Sequence, residues 1–136
     1  EYVRGKISGI VYEYDSIGII ITEGNYINGI KDGEWIYIYN DFKESGFFAD
    51  GMRTGEWKAL YKNGNKLFTG EYLNDIPINI HTYYFPNGKV KEKGAYLRGE
   101  KDGEWKKYNY QGVVVITTEY RNGEEYKVDG VKLRNK

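Results

Sequence analysis

The sequence predicts an all-β protein, an elongated single-layer antiparallel β-meander built from about five to six hairpin units of roughly 24 residues. Three observations predict it. Aromatic residues and glycines recur together at one period. Short runs rich in Tyr, Ile, Val, Trp and Thr lie between the glycines, which is strand chemistry. Asn-Gly dipeptides punctuate those runs, a strong short-range signal for a hairpin.

The period is read from Tyr2, Tyr26, Phe48, Tyr72, Tyr96 and Tyr120, spaced 24, 22, 24, 24 and 24 residues apart. Each opens a unit: 2–25, 26–47, 48–71, 72–95 and 96–119, with 120–136 a degenerate C-terminal cap. Three residues after each aromatic stand Gly5, Gly29, Gly51, Asp75, Gly99 and Gly123, and four further on Gly9, Gly33, Gly55, Asn79, Gly103 and Lys127. Two past that slot lie Val11, Trp35, Trp57, His81 and Trp105, so all three tryptophans fill one position. Gly18, Gly64, Gly88 and Gly112 form a later slot, where the second unit has Phe42. Gly24, Gly46, Gly70 and Gly94 each precede the next aromatic by two. Of the 18 glycines only Gly130 falls outside these slots, so the glycines belong to the repeat and not to a flexible tail.

Each unit is expected to supply two antiparallel strands, for example 56–62 and 66–73, giving roughly twelve strands along the chain. Asn63-Gly64 and Asn87-Gly88 are expected to form type I′ turns, which need positive φ at both central residues. Gln111-Gly112 occupies the same slot. The second unit, with Asp41-Phe42-Lys43, is two residues shorter and calls for a different turn. Asp129-Gly130 is placed to close a short capping hairpin. Helix is excluded on cost: interior Gly and Pro disfavour it by about 1 and 3 kcal/mol each. The longest glycine-free stretch, 71–87, holds both prolines.

Alternation along a strand gives the faces. Trp35, Tyr37 and Tyr39 share a side, as do Trp57, Ala59 and Tyr61, and on the return strands Phe68, Gly70 and Tyr72. A glycine within a strand needs a reason. The gap at Gly24, Gly70 and Gly94 gives room for an aromatic ring to lie flat, so Trp35, Trp57, Trp105 and these glycines read as repeat-structural residues.

Composition limits the function. Twenty Lys+Arg balance twenty Asp+Glu, which argues against a nucleic-acid partner. With no Cys there is no disulfide, thiolate zinc site or cysteine nucleophile. No run of apolar residues reaches the length of a membrane helix. The chain opens on Glu1 with no signal-like segment, as a trimmed or processed chain would.

No catalytic constellation emerges, and the chain is expected to be non-enzymatic with no cofactor. The single histidine, His81, occupies a tryptophan slot and reads as a replacement for an indole, with partner contact or pH sensing as the second reading. Its nearest upstream hydroxyl nucleophile of the Ser type, Ser45, lies two units away. Asp32 with Glu34, and Asp102 with Glu104, would suit calcium, but they read as turn formers and solvated charges, so no metal is expected. A single-layer sheet leaves two faces without a covering helix. Tyr37, Tyr39, Tyr61, His81, Tyr83 and Phe85 are therefore the candidate partner-binding residues. Lys58, Lys62, Lys106 and Lys107 interleave with the rings and read as solubilising, edge-protecting charges.

The unit Tyr-x-x-Gly-x-x-x-Gly-Glu-Trp-x-x-aromatic-aromatic-x-Asn-Gly resembles the MORN repeat, and more closely a bacterial YwqK-type variant, a family associated with the antitoxins of toxin–antitoxin pairs. The resemblance spans residues 1 to about 125. It implies a scaffold that binds a protein through the aromatic-lined face, with neutralisation of a toxin as one form of that binding. The alternative it implies is a membrane-associated or self-assembling structural protein contacting phospholipid headgroups. It leaves the bacterial cytoplasm and an exported location both open, and the oligomeric state undetermined. The fourth unit departs from the pattern at Asp75, Asn79 and His81 and adds Pro77 and Pro86, so irregular geometry is expected there.

Overall fold

The computed structural model describes residues 2–3 and 5–132, with side chains for 5–130. Its strands are β1 (Tyr2–Val3), β2 (Lys6–Ile7), β3 (Gly9–Tyr14), β4 (Ile20–Ile27), β5 (Ile30–Ile38), β6 (Phe42–Ala49) and β7 (Met52–Tyr61). They continue with β8 (Lys66–Leu73), β9 (Ile76–Tyr84), β10 (Val90–Leu97), β11 (Glu100–Tyr108), β12 (Val114–Arg121), β13 (Glu124–Val128) and β14 (Val131–Lys132). Among the described residues there is no helix. Strands β3 to β14 form one 12-stranded sheet in sequence order, every neighbouring pair antiparallel, and β1 and β2 form a separate two-stranded hairpin. The protein is thus the all-β, single-layer antiparallel meander that the repeat implies.

The two long edges of the sheet use different turns. Along one edge Asn28-Gly29, Asp50-Gly51, Asn74-Asp75, Arg98-Gly99 and Asn122-Gly123, and as an exception on the other side Asp129-Gly130, each place two successive residues at positive φ, the type I′ geometry. The last of these closes the short β13–β14 hairpin. Along the other edge the expectation of type I′ turns at Asn63-Gly64 and Asn87-Gly88 is corrected. Only the glycine has positive φ; its N–H donates to the Tyr61 or Phe85 carbonyl, and those residues donate back to Asn65 and Lys89. That is a three-residue loop, a type I turn followed by a glycine bulge. Gly18 and Gly112 close the same loop. The shorter second unit links Tyr39 to Phe42 across Asn40-Asp41, with Tyr39 donating to the Phe42 carbonyl at 2.8 Å.

A bulge recurs in each of the second to fifth units. Between the pairs Glu23↔Ile36 and Asn25↔Asp32, the single residue Gly24 faces Gly33, Glu34 and Trp35. Gly46, Gly70 and Gly94 face 55–57, 79–81 and 103–105 in the same way. The first bulge residue lies in the left-handed region, Gly33, Gly55 and Gly103 at φ 73, 69 and 69 and Asn79 at φ 57. The irregularity expected in the fourth unit is absent from its backbone, because Asn and Asp tolerate left-handed φ when their short polar side chains bond locally. Asp75 is held across the sheet instead: its carboxylate accepts the Arg53 N–H at 2.7 Å while its own N–H donates to the Arg53 carbonyl.

Candidate functional site

The bulge lifts one ring per unit onto the glycine of the preceding strand. A Cβ on Gly24, Gly46 or Gly94 would collide with the ring of Trp35, Trp57 or Trp105, and one on Gly70 with His81. The opened ladder also frees a carbonyl, and the ring satisfies it. Trp35, Trp57 and Trp105 donate Nε1–H to the carbonyls of Asn25, Phe47 and Ala95 at 3.1, 3.1 and 2.9 Å. His81 Nε2 lies 2.9 Å from the Glu71 carbonyl, in the same relation.

These rings join the unit-opening aromatics in one continuous ladder. It runs Tyr26–Trp35–Phe48–Trp57–Tyr72–His81–Tyr96–Trp105–Tyr120, with centroids 4.7 to 6.5 Å apart and planes 67° to 90° to each other. Edge-to-face contact sets the positive rim of one ring against the negative face of the next. The free face of each indole takes a cation: Lys31 over Trp35 at 4.8 Å, Arg53 over Trp57 at 4.6 Å and Lys101 over Trp105 at 4.5 Å. Sequence reasoning overlooked these cations, although the signal was present. Each lies four residues before a tryptophan, whereas Pro77 precedes His81 and Ile7 precedes Val11 by the same step.

The six candidate partner-binding residues fall into three settings. His81 is buried at 2 % exposure within the ladder, against Tyr72 and Tyr96, and offers no ring surface to solvent. Burial lowers its pKa from 6.5, outweighing the backbone hydrogen bonds and the Glu71 charge that raise it. Tyr37 and Tyr61 are half-buried and engaged: Tyr37 lies over Trp35 and accepts a hydrogen bond from Lys31 Nζ, and Tyr61 donates its hydroxyl to the Tyr84 carbonyl. Tyr39 and Tyr83 are the open ones, 49 % and 40 % exposed, backed by Phe42 and Phe68. Desolvation raises the Tyr83 pKa, with Tyr96, Tyr72 and Glu92 adding to it. Phe85 is half-buried against Tyr110 at the loop edge. The structure thus brings Tyr39 and Tyr83 onto the ladder face as accessible rings and places His81 in its floor.

Among the described residues no group of three or more His, Asp or Glu gathers to hold a metal. The hollows of the surface are shallow. One of about 340 Å³ lies on the opposite face, lined by Ile80, Lys93, Ala95, Glu104, Lys106 and Tyr108 with Gly94.

No sequence-family profile matches the chain, and no curated protein matches it. Among solved structures it is similar to Staphylococcus aureus TarM, at 16 % identity with TM-scores of 0.36 and 0.35. One of those is of a TarM variant in complex with Fondaparinux, alpha-GlcNAc-glycerol and UDP. The alignment covers 88 % of this chain and 21 % of TarM, so the chain spans about a fifth of that protein's length.

Proposed function

We propose that the protein is a non-enzymatic repeat scaffold that binds a protein partner. One observation carries this reading: a single-layer sheet with neither face covered by another described element, on which large apolar side chains stay accessible in rows. Exposed apolar surface of that extent marks an interaction site. On the ladder face Tyr39, Tyr83 and Phe85 supply ring surface held in place by ring contacts with Phe42, Phe68 and Tyr110, which lowers the ordering cost of binding. Contact with anionic headgroups is less well supported, because the cations of this face are drawn onto rings and the opposite face is rich in carboxylates. In the MORN-like reading, neutralisation of a toxin is one form such binding would take.

The test is capture by the immobilised chain at moderate salt, comparing the parent with the triple variant Tyr39→Ser/Tyr83→Ser/Phe85→Ser. A stoichiometric protein held by the parent and lost by the variant is the expected result. An empty matrix, or capture that the variant leaves unchanged, would remove the ladder face from consideration.

A further inference from the structure

The opposite face has its own chemistry. Beside the type I′ turns, Ile27, Ile30, Leu73, Ile76 and Leu97 are 48–54 % exposed, and Ile27↔Ile30 and Leu73↔Ile76 sit directly across from each other. The next row inward carries carboxylates. Glu34, Glu56 and Glu104 each immediately precede a ladder tryptophan and so point away from it. They pair across strands with Phe47, Glu71 and Glu119. Shared hollows place these residues on one face, Glu56 and Glu71 lining one with Ile80, and Glu104 and Ile80 another. Phe47 and Ile80, 48 % and 55 % exposed, interrupt the acidic row with apolar surface. Lys58, Lys93 and Lys106 begin only in the row beyond.

Two of the cross-strand pairs, Glu56↔Glu71 and Glu104↔Glu119, set like charges opposite each other, an arrangement that destabilises a sheet. Internal cations serve one end of the row only, Lys106 at 4.0 Å from Glu104 and Arg121 at 3.0 Å from Glu119. Glu71 takes the Asn79 amide, while the carboxylates of Glu34 and Glu56 have no hydrogen-bond or ion-pair partner among the described residues.

We infer that this face is the docking surface for a cationic amphipathic helix of a partner protein, lying across the strands with its apolar side on the Ile/Leu row and its cations over the carboxylates. This rests on the protein-binding reading and adds a second binding face, opposite the ladder, with its partner's chemistry. Both rows run perpendicular to the strands. From β5 to β12 is seven strand steps, about 34 Å at ~4.8 Å per step. A helix rising 1.5 Å per residue covers that in about 22 residues. An extended peptide pairing with a sheet edge would run parallel to the strands and meet only one member of each row.

The probe is a synthetic peptide of about 22 Lys and Leu residues with helical amphipathic spacing, a length set by that span. Controls are a scrambled peptide of identical composition and a version with Glu for Lys. Binding is read by fluorescence anisotropy at near-physiological salt. The ordered cationic peptide is expected to bind at least about tenfold more tightly than either control, the scale that charge complementarity sets. Glu56→Lys/Glu71→Lys and, separately, Leu73→Ser/Ile76→Ser should each weaken it about tenfold. Glu44→Lys, a charge reversal on the ladder face, should leave it unchanged. Circular-dichroism melting checks folding, and Glu56→Gln/Glu71→Gln replaces the lysine pair if that pair fails to fold. Equal binding of the scrambled peptide, equal loss with Glu44→Lys, or preference for anionic vesicles over the peptide would overturn the inference. The capture experiment with the Tyr39, Tyr83 and Phe85 variant is independent of all three outcomes, so this inference can fail while the broader reading stands.

Discussion

His81 shows how one side chain is chosen by its neighbours. Three of the four ring-over-glycine positions hold an indole, but above Gly70 the space is shared, because the Phe68 ring also reaches over it. An imidazole is smaller and still places Nε2 2.9 Å from the freed Glu71 carbonyl. Burial makes protonation harder in the folded protein than in the unfolded chain, whose histidine titrates near 6.5. The stability conferred by neutral His81 is therefore complete above that value and is lost progressively as pH falls below it. The groups around the ring are Tyr72, Tyr96 and Phe68, with Glu71 the one charge acting on it. Urea midpoints measured between pH 8 and 5 should decline for the parent chain and decline less for His81→Gln. Parallel curves would show that the histidine titrates alike in both states.

At the scale of the hairpin, the contact between Phe68 on β8 and His81 on β9 makes the pair a unit. His81→Trp alone should overpack the site and lower stability by about 1–3 kcal/mol. Adding Phe68→Thr, the residue type that Thr22 supplies at the equivalent place beside Trp35, should recover most of the loss in a denaturation experiment. Additive losses would mean the two rings do not compete for the space over Gly70. Which ring meets which glycine was legible in the sequence, since a period that puts large residues opposite missing side chains leaves little choice. Turn geometry was less so. Asn63-Gly64 carries the dipeptide of a type I′ turn, yet the residue count between the last paired positions, Tyr61 and Asn65, fixes a three-residue loop. Arg98-Gly99 adopts the type I′ form with a residue that rarely announces it. The acidic row was hidden for a related reason: the bulge inserts residues into one strand, so counting by twos from Asp32 across Gly33 does not reveal which later residues align across strands.

For the molecule as a whole, stability is shared between neighbouring units, since each ring packs on the strand before it and the aromatic after it. Trp57, 1 % exposed and central in the ladder, should cost about 3–5 kcal/mol when replaced by alanine. Lys58→Ala, one residue away on the open face, should leave the melting temperature nearly unchanged. A Trp57→Ala protein that melts with the parent would mean that the ladder does not hold the array together. Much of this scale was readable in advance, because a period detects a meander without any one strand being placed correctly. The role of the faces was not, because exposure depends on what the twelve strands leave uncovered.

The strand order has a mechanical consequence. In the 12-stranded sheet β3 and β14 are the two outermost strands, at opposite edges. A pull on the two ends of that sheet therefore acts across the strands, and it loads the hydrogen bonds of the outermost ladder one after another. Such a sheet opens as a zip does, hairpin by hairpin, at low force and over a long extension. Each release withdraws one ring from its glycine, so the indoles of Trp35, Trp57 and Trp105 would report by fluorescence how far the opening has travelled.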